Sequence, residues 1–446
     1  MGFGDKAYST LVKRDLEVER ELPEQARADI PSNALRLIGA HALQSSGDQA
    51  TKTSTVLPWL FYSLGVPPAL TGVLVPIRES GSMLPQAFLT PLVLRVRHRK
   101  WVFVTGALIQ AVTVAAMAMT AAVGSGLAAG VVIVVALTIF SLGRCLGSIS
   151  SKDVQGRTVP KGQRGQINGL ATIASGLVAL TLGLGVRLFG GEDLRADQLA
   201  WLLAGGAACW VGVAAVYAGI REPADVESTP PAHPEAEQQA PGAVVQSWAL
   251  LRDDRDFRLF VTVRSLLLVS ALSPPFVVTL AVSSGMEGLA GLGSFIIASG
   301  LAALIGGGIF GRWADRSSAG LMSAGAAMAS VVIVALVVIV TLPAFSEESA
   351  WSDFLFVGCF FLLTLLHTGV RVGRKTYVVD MAEGDQRTTY VAVSNSAMGV
   401  ILLVVGGVSS LLAIAAVEWA LLFLAGMGIV GVYAARRLPN VSHGAS

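Results

Sequence analysis

Charge is scarce in this chain. Only 14% of its 446 residues are Asp, Glu, Lys or Arg, against about 25% in an average soluble domain. So few charges cannot cover the surface of a soluble protein of this size. Cysteine is nearly absent too. Cys145, Cys209 and Cys359 fall in or beside apolar stretches with no disulfide or metal-ligand spacing, so they read as small packing residues. There is no His-Glu-x-x-His, no Cys–His pairing and no glycine-rich phosphate loop. The expectation is therefore no enzyme, no catalytic residue, no metal, no cofactor and no nucleotide-driven pumping. Nor is a nucleic-acid partner expected. The first thirty residues are charged and lack an apolar core segment, so no cleavable signal peptide is expected and the first apolar segment would direct insertion.

Apolar residues are abundant, at 53% of the chain. A bilayer core of about 30 Å needs about 20 apolar residues per helix, and twelve such segments can be drawn: 34–62, 68–92, 101–123, 126–148, 165–187, 198–219, 257–283, 289–311, 319–342, 353–378, 389–411 and 415–435. The connections alternate in charge. Those after even-numbered segments carry Arg95, Arg97, Arg99 and Lys100, then Lys152, Arg157, Lys161 and Arg164, then Arg312 and Arg316, then Arg374, Lys375 and Arg387. The odd ones carry mainly acids, with Arg187 and Arg195 the exceptions. The positive-inside rule then predicts a multi-pass protein of the inner (plasma) membrane with both termini cytoplasmic.

One polar stretch interrupts the pattern. Glu222 to Gln246 holds five prolines and almost nothing to bury, so it reads as a cytoplasmic linker. The predicted organisation is a cytoplasmic segment (1–32), a six-helix bundle (33–221), a linker with an interfacial helix (222–256), a second six-helix bundle (257–437) and a tail (438–446). A shift of 219 positions superposes Gly72 on Gly291, Ser80-Gly81 on Ser299-Gly300, Arg97 on Arg316 and Gly106-Ala107 on Gly325-Ala326. A shift of 223 superposes Gln163-Arg164 on Gln386-Arg387 and Gly176 on Gly399. The halves are an internal repeat.

A six-plus-six duplication about a linker resembles the major facilitator superfamily, over roughly residues 33–437. Gly311-Arg312-Trp313-Ala314-Asp315-Arg316 is similar to that family's G-x-x-x-D-R loop signature. In the first half Arg97 survives, but Leu92 and Val96 stand in place of the glycine and aspartate. The run Asp153 to Gly169 is similar to the family's D…RG…G loop. The resemblance implies an all-α membrane fold of twelve helices in two pseudo-symmetric bundles that rock about a midplane site. It also implies that the first, fourth, seventh and tenth helices line the cavity, and that Arg97, Gly311, Asp315 and Arg316 belong to a gating loop. Asp315 and Arg316 carry charges suited to latching a neighbouring helix end in one conformation.

Polar residues inside the apolar segments mark the candidate site. His41, Gln44, Ser45, Asp48 and Lys52 recur at helical spacing, a stripe too polar to face lipid. Arg78 and Glu79 fall near the middle of the second segment, and Asp48, Arg78 and Glu79 are expected to cluster. Either carboxylate would serve as a proton carrier, and a structural ion pair of Asp48 with Lys52 or Arg78 is the plainer reading. The Pro274-Pro275 pair should break the seventh segment near its middle. Arg264 either snorkels to the interface or faces the cavity. His367 and Arg371 lie in the tenth segment, and Asn395 is a hydrogen-bonding candidate in the eleventh. Intramembrane bases outnumber acids, which would suit an anionic substrate group. The expected function is a secondary transporter of a small organic solute, coupled to H+ and acting as a monomer among lipids. A multidrug-type proton antiporter and a non-transporting membrane sensor are the alternatives.

Overall fold

The structure is a computed structural model and describes residues 8–10, 24–86, 89, 93, 95–159, 163–189, 196–222, 251–286, 288–343, 345, 350–381 and 386–439. Regular structure among these residues is helical. A chain crossing lipid must satisfy its peptide groups internally, and the helix does so within one segment. The first half contains α1 (Glu24–Ala50), α2 (Val56–Ser63), a 3-10 turn (Pro68–Leu70), α3 (Thr71–Met83), α4 (Arg99–Val123), α5 (Gly126–Thr158), α6 (Gln163–Phe189) and α7 (Ala196–Ala218). The second contains α8 (Arg255–Leu266), α9 (Val269–Ser283), α10 (Gly288–Arg316), α11 (Ser318–Val340), α12 (Ala350–Met381), α13 (Gln386–Ala415) and α14 (Val417–Ala435). Each of the twelve apolar segments lies at least in part on one of these helices among the described residues. Among the described residues, eight spans are long and apolar enough to cross a bilayer, and shorter apolar stretches (Ala174–Leu188 and Gly291–Gly306) lie inside α6 and α10.

Exposed apolar side chains mark the lipid-facing surface. Val112 on α4, Trp201 on α7, Val331 on α11 and Tyr433 on α14 are all largely exposed. These are the third, sixth, ninth and twelfth spans. Exposed aromatics gather at both ends of the helices, with Trp201, Trp351 and Trp419 near one end and Trp101, Trp313 and Tyr433 near the other. Such rings prefer the two membrane–water interfaces.

Two spans depart from the sequence reading. The first segment is not one continuous helix: it breaks between Ala50 and Val56. The break coincides with Thr51, Thr53, Ser54 and Thr55, whose hydroxyls compete for backbone partners; the Thr51 hydroxyl donates to the Gly47 carbonyl at 3.0 Å. Lys52 therefore lies beyond the helix that carries Asp48. The seventh span breaks at Leu267 and Leu268, while Pro274 and Pro275 lie inside α9. The pair does not itself form the break, because helix restarts one turn upstream of it. Beyond 222, residues 223–250 of the expected linker lie outside the described residues. The description resumes at Leu251, and the Asp254 carboxylate caps α8 by accepting from the Phe257 N–H at 2.9 Å.

The halves meet along α6 against α10 and along α3 against α13. Repeat-equivalent residues form the seam from both sides. The Ser80 hydroxyl donates to the Gly399 carbonyl at 2.7 Å, and its counterpart Ser299 accepts from Lys52 Nζ at 2.6 Å. Gly176 faces Leu304, and its counterpart Gly399 faces Leu84. Gly72 faces Ser410, and its counterpart Gly291 faces Trp59. The Gly72–Ser410 and Gly291–Trp59 contacts fall in the part of each helix remote from the chain termini, here called the far side, and the contacts of Ser80, Gly176, Ser299 and Gly399 lie nearer the middles of their spans. The closest backbone approach there is Gly293, where a Cβ would stand 2.6 Å from the Arg187 nitrogen and 2.7 Å from the Gly183 carbonyl oxygen.

On the terminal side the first bundle is tied across its own helix ends. The buried Glu222 carboxylate accepts from the backbone N–H groups of Arg99 at 3.2 Å and Lys100 at 3.1 Å, so it caps α4. It also pairs with Arg157 at 3.5 Å. Asp153 pairs with Arg99 at 2.9 Å and Arg157 at 3.2 Å. Asn33 and the Arg221 backbone exchange two hydrogen bonds of 2.9 Å, tying α1 to the chain beyond α7.

Two predictions follow from these ties. Gly293→Val should prevent close approach of α6 and α10 and open the far side. In a background lacking the three native cysteines, thiol labelling of Trp59→Cys should then accelerate at least tenfold. Glu222→Ala leaves two α4 amides without their acceptor and Arg157 paired with Asp153 alone. A loss of about 2 kcal/mol in detergent unfolding is expected, the scale of a lost cap together with a lost charged hydrogen bond.

Candidate functional site

The break in the first span creates the first half of the site. Where a helix stops, its last carbonyls lose their partners, and Arg78 on α3 donates to the Thr51 carbonyl at 3.1 Å. The same guanidinium donates to Asp48 Oδ1 at 2.6 Å and lies 5.7 Å from the Phe140 ring centroid. One turn beyond Phe140, Arg144 of α5 donates to the same Asp48 oxygen at 2.7 Å. Asp48 thus binds two guanidiniums, from the second and fourth spans. Arg78 is only 7% exposed, and a charge so buried is tolerated when it is both paired and hydrogen-bonded.

Glu79 is half-buried beside this cluster. It makes no ion pair among the described residues, although its charge acts on Arg78 and Arg144 and, across the seam, on Arg374. Asp48, Arg78 and Glu79 therefore converge on one region. Arg144 joins this cluster although it was not among the residues singled out from the sequence. Its signal was present: it is the one charge in the apolar run from Gly126 to Ser151. Lys52, expected on the Asp48 helix face, instead reaches Ser299 of the second half.

The second half contributes an arginine-rich cleft. Arg264, Leu267, Leu268, Ala271, Met322, His367, Val370 and Arg374 line it. Arg264 does not snorkel. It is 6% exposed and donates to the Ser394 hydroxyl at 2.8 Å and to Asn395 Oδ1 at 3.0 Å. The His367 ring nitrogen Nδ1 stands 3.4 Å from the Ser270 hydroxyl. Arg371, one turn after His367, is exposed, and its charge acts on Lys52, His367 and Arg374. His367, Arg371 and Asn395 thus belong to one region, together with Arg264, Arg374 and Ser394.

The remaining candidates do not join it. His41 and Gln44 are half-buried on α1, two turns and one turn before Asp48, and among the described residues they make no hydrogen bond to the cluster. Arg97 is exposed in the connection before α4. Gly311, Asp315 and Arg316 form the end of α10, so the helix runs through the expected loop, and their side chains lie outside the described residues.

Two broken spans, two bundles meeting along repeat-equivalent glycines, and a charged seam are now in place. The Major Facilitator Superfamily model matches residues 40–351. The chain belongs to that family. No curated protein matches it in sequence. Among solved structures it is similar to the nucleoside transporter NupG, with 14% identity and a TM-score of 0.66 over 91% of this chain and 99% of that one. It is also similar to the xylose transporter XylE from E. coli in an inward open conformation, with 12% identity and a TM-score of 0.64 over 92% and 97%. The peptide transporter POT in complex with sulfate gives 13% identity and a TM-score of 0.64 over 92% and 96%. At these identities the likeness establishes the fold. The protein is a multi-pass membrane transporter and not an enzyme.

The paired and unpaired carboxylates should behave differently on neutralisation. Asp48→Asn leaves two arginines facing each other and should cost about 3 kcal/mol or more, the scale for breaking a buried pair. Glu79→Gln should change detergent unfolding by less than about 1 kcal/mol. Adding Arg144→Gln to Asp48→Asn should recover part of the loss, a coupling that a double-mutant cycle measures directly.

Proposed function

We propose that this protein is a proton-coupled secondary transporter of a small organic solute in the inner membrane, with both termini cytoplasmic, working by alternating access. The observation that carries the reading is the division of labour between Asp48 and Glu79. Asp48 is held as an anion by two guanidiniums on one oxygen, so a proton arriving there would have to break both pairs. Glu79 is half-buried, has no ion pair among the described residues, and its charge acts on arginines of both halves. Binding or releasing a proton at Glu79 changes the attraction between the first half and Arg374 without dismantling the Asp48 cluster. It is the carboxylate at the seam that makes no ion pair among the described residues.

The terminal-side arginines support the orientation through the positive-inside rule. On that orientation the far-side seam closes the site from the outside. The nucleoside, xylose and peptide transporters of similar fold support a small hydrophilic solute as cargo. An exporter of lipophilic cations fits less well, because among the described residues the bases Lys52, Arg78, Arg144, Arg264, Arg371 and Arg374 outnumber the acids Asp48 and Glu79 in the two halves of the site.

The test uses purified protein in liposomes loaded with a pH-sensitive dye. A panel of small organic acids, nucleosides and sugars is added outside. A member of the panel should drive proton movement in the wild type, and Glu79→Gln should abolish that movement. Solute entry without proton movement, or unaltered proton movement in Glu79→Gln, overturns the reading.

A further inference from the structure

The cleft in the second half holds a feature that proton coupling does not use. Arg264 is clamped at both terminal nitrogens by neutral acceptors, Ser394 and Asn395. Its Nε–H is buried and has no hydrogen-bond partner among the described residues. A buried guanidinium donor left unmatched is costly, by about 1–3 kcal/mol or more for a charged group, and native structures rarely keep one without a role. Arg264 lines the cleft beside His367 and Arg374. Neither Arg264 nor Arg374 has a carboxylate within ion-pair distance among the described residues, and Glu79 is the acid whose charge acts on Arg374 from across the seam.

We infer that this cleft is a subsite for the carboxylate of a small organic acid, with Arg264 as its principal donor. The inference rests on the transport reading above and names the chemistry of its cargo. An arginine held by its two terminal nitrogens is fixed in direction before any ligand arrives. Its Nε–H is the guanidinium donor left unmatched beside the cleft, and planar guanidinium donors match carboxylate oxygens. Arg374 and His367 line the same cleft, and Arg374 adds positive charge. Leu267, Leu268, Ala271, Met322 and Val370 make up the rest of the lining, an apolar surface against which a short hydrocarbon stem would pack once the cleft, about 10 Å³ in this conformation, widens. The cleft opens between α8, α9, α11 and α12, so a bound carboxylate would touch both pieces of the broken seventh span. Neutralising the Arg264 charge there would ease the like-charge repulsion with Arg374.

The experiment is binding to the purified full-length protein, followed by thermal unfolding at constant ionic strength. The probes are acetate, butyrate, succinate, inorganic phosphate and a neutral polyol. Ligands of the folded state raise the melting temperature by mass action. A short-chain carboxylate should stabilise the wild type, and Arg264→Gln should weaken its apparent affinity at least tenfold, with Arg264→Lys recovering little. His367→Gln leaves the Arg264 clamp intact and should weaken it less, which keeps the test readable if Arg264→Gln does not fold. Stabilisation by phosphate alone, by no anion, or by carboxylates equally in wild type and Arg264→Gln overturns the inference. The two readings fail separately. Carboxylate binding through Arg264 with no proton movement in liposomes sinks the transport reading and leaves the subsite. Proton-coupled uptake of a neutral solute, indifferent to Arg264→Gln, does the reverse.

Discussion

One carboxylate organises the first half of the molecule. Asp48 accepts from Arg78 and Arg144 on a single oxygen, and these three residues come from three different spans. Each charge alone would be prohibitive in a low-dielectric interior, and together they are tolerated. The arrangement constrains much of the surrounding structure. The break after α1 places the Thr51 carbonyl where Arg78 needs an acceptor, and Phe140 gives the same guanidinium a ring face. It also leaves Lys52 beyond the helix, where it crosses to Ser299.

The second half solves a similar problem without a carboxylate. Arg264 is held by the hydroxyl of Ser394 and the amide oxygen of Asn395, which are neutral groups. The repeat is thus conserved in the backbone and divergent in charge. Serines and glycines at equivalent positions form the seam from both sides, since close helix approach requires small residues in both halves.

Much of this was legible in the sequence. The twelve spans, the duplication and the Asp48–Arg78–Glu79 neighbourhood follow from apolar runs, a fixed shift and mid-span charges. What escaped was set by tertiary contact. Arg144 is the one charge in its apolar run, but a long guanidinium reaches a full turn from its backbone, so its partner was not predictable from residue count. The polar stripe read from sequence runs as far as Lys52, yet the helix stops at Ala50, and the hydroxyl-rich run Thr51–Thr55 marks the break. The Pro274-Pro275 pair misled in the opposite direction, because the discontinuity fell upstream at Leu267. His41 and Gln44 share the periodicity of Asp48 yet do not meet its cluster, a reminder that a common helix face fixes direction and not distance.

The buried Glu222 has a mechanical meaning. It sits at the end of the first bundle, capping α4 and pairing with Arg157, while the neighbouring Arg221 is tied to Asn33. The tether to the second half therefore starts from a rigid anchor. Residues 223–250 could span about 90 Å if fully extended, far more than the gap between adjoining bundles. The described contacts between the halves run along α6 against α10, α3 against α13, and α9 against α2 and α3, so on the proposed transport cycle the coupling of solute to proton would cross these surfaces and the charges beside them.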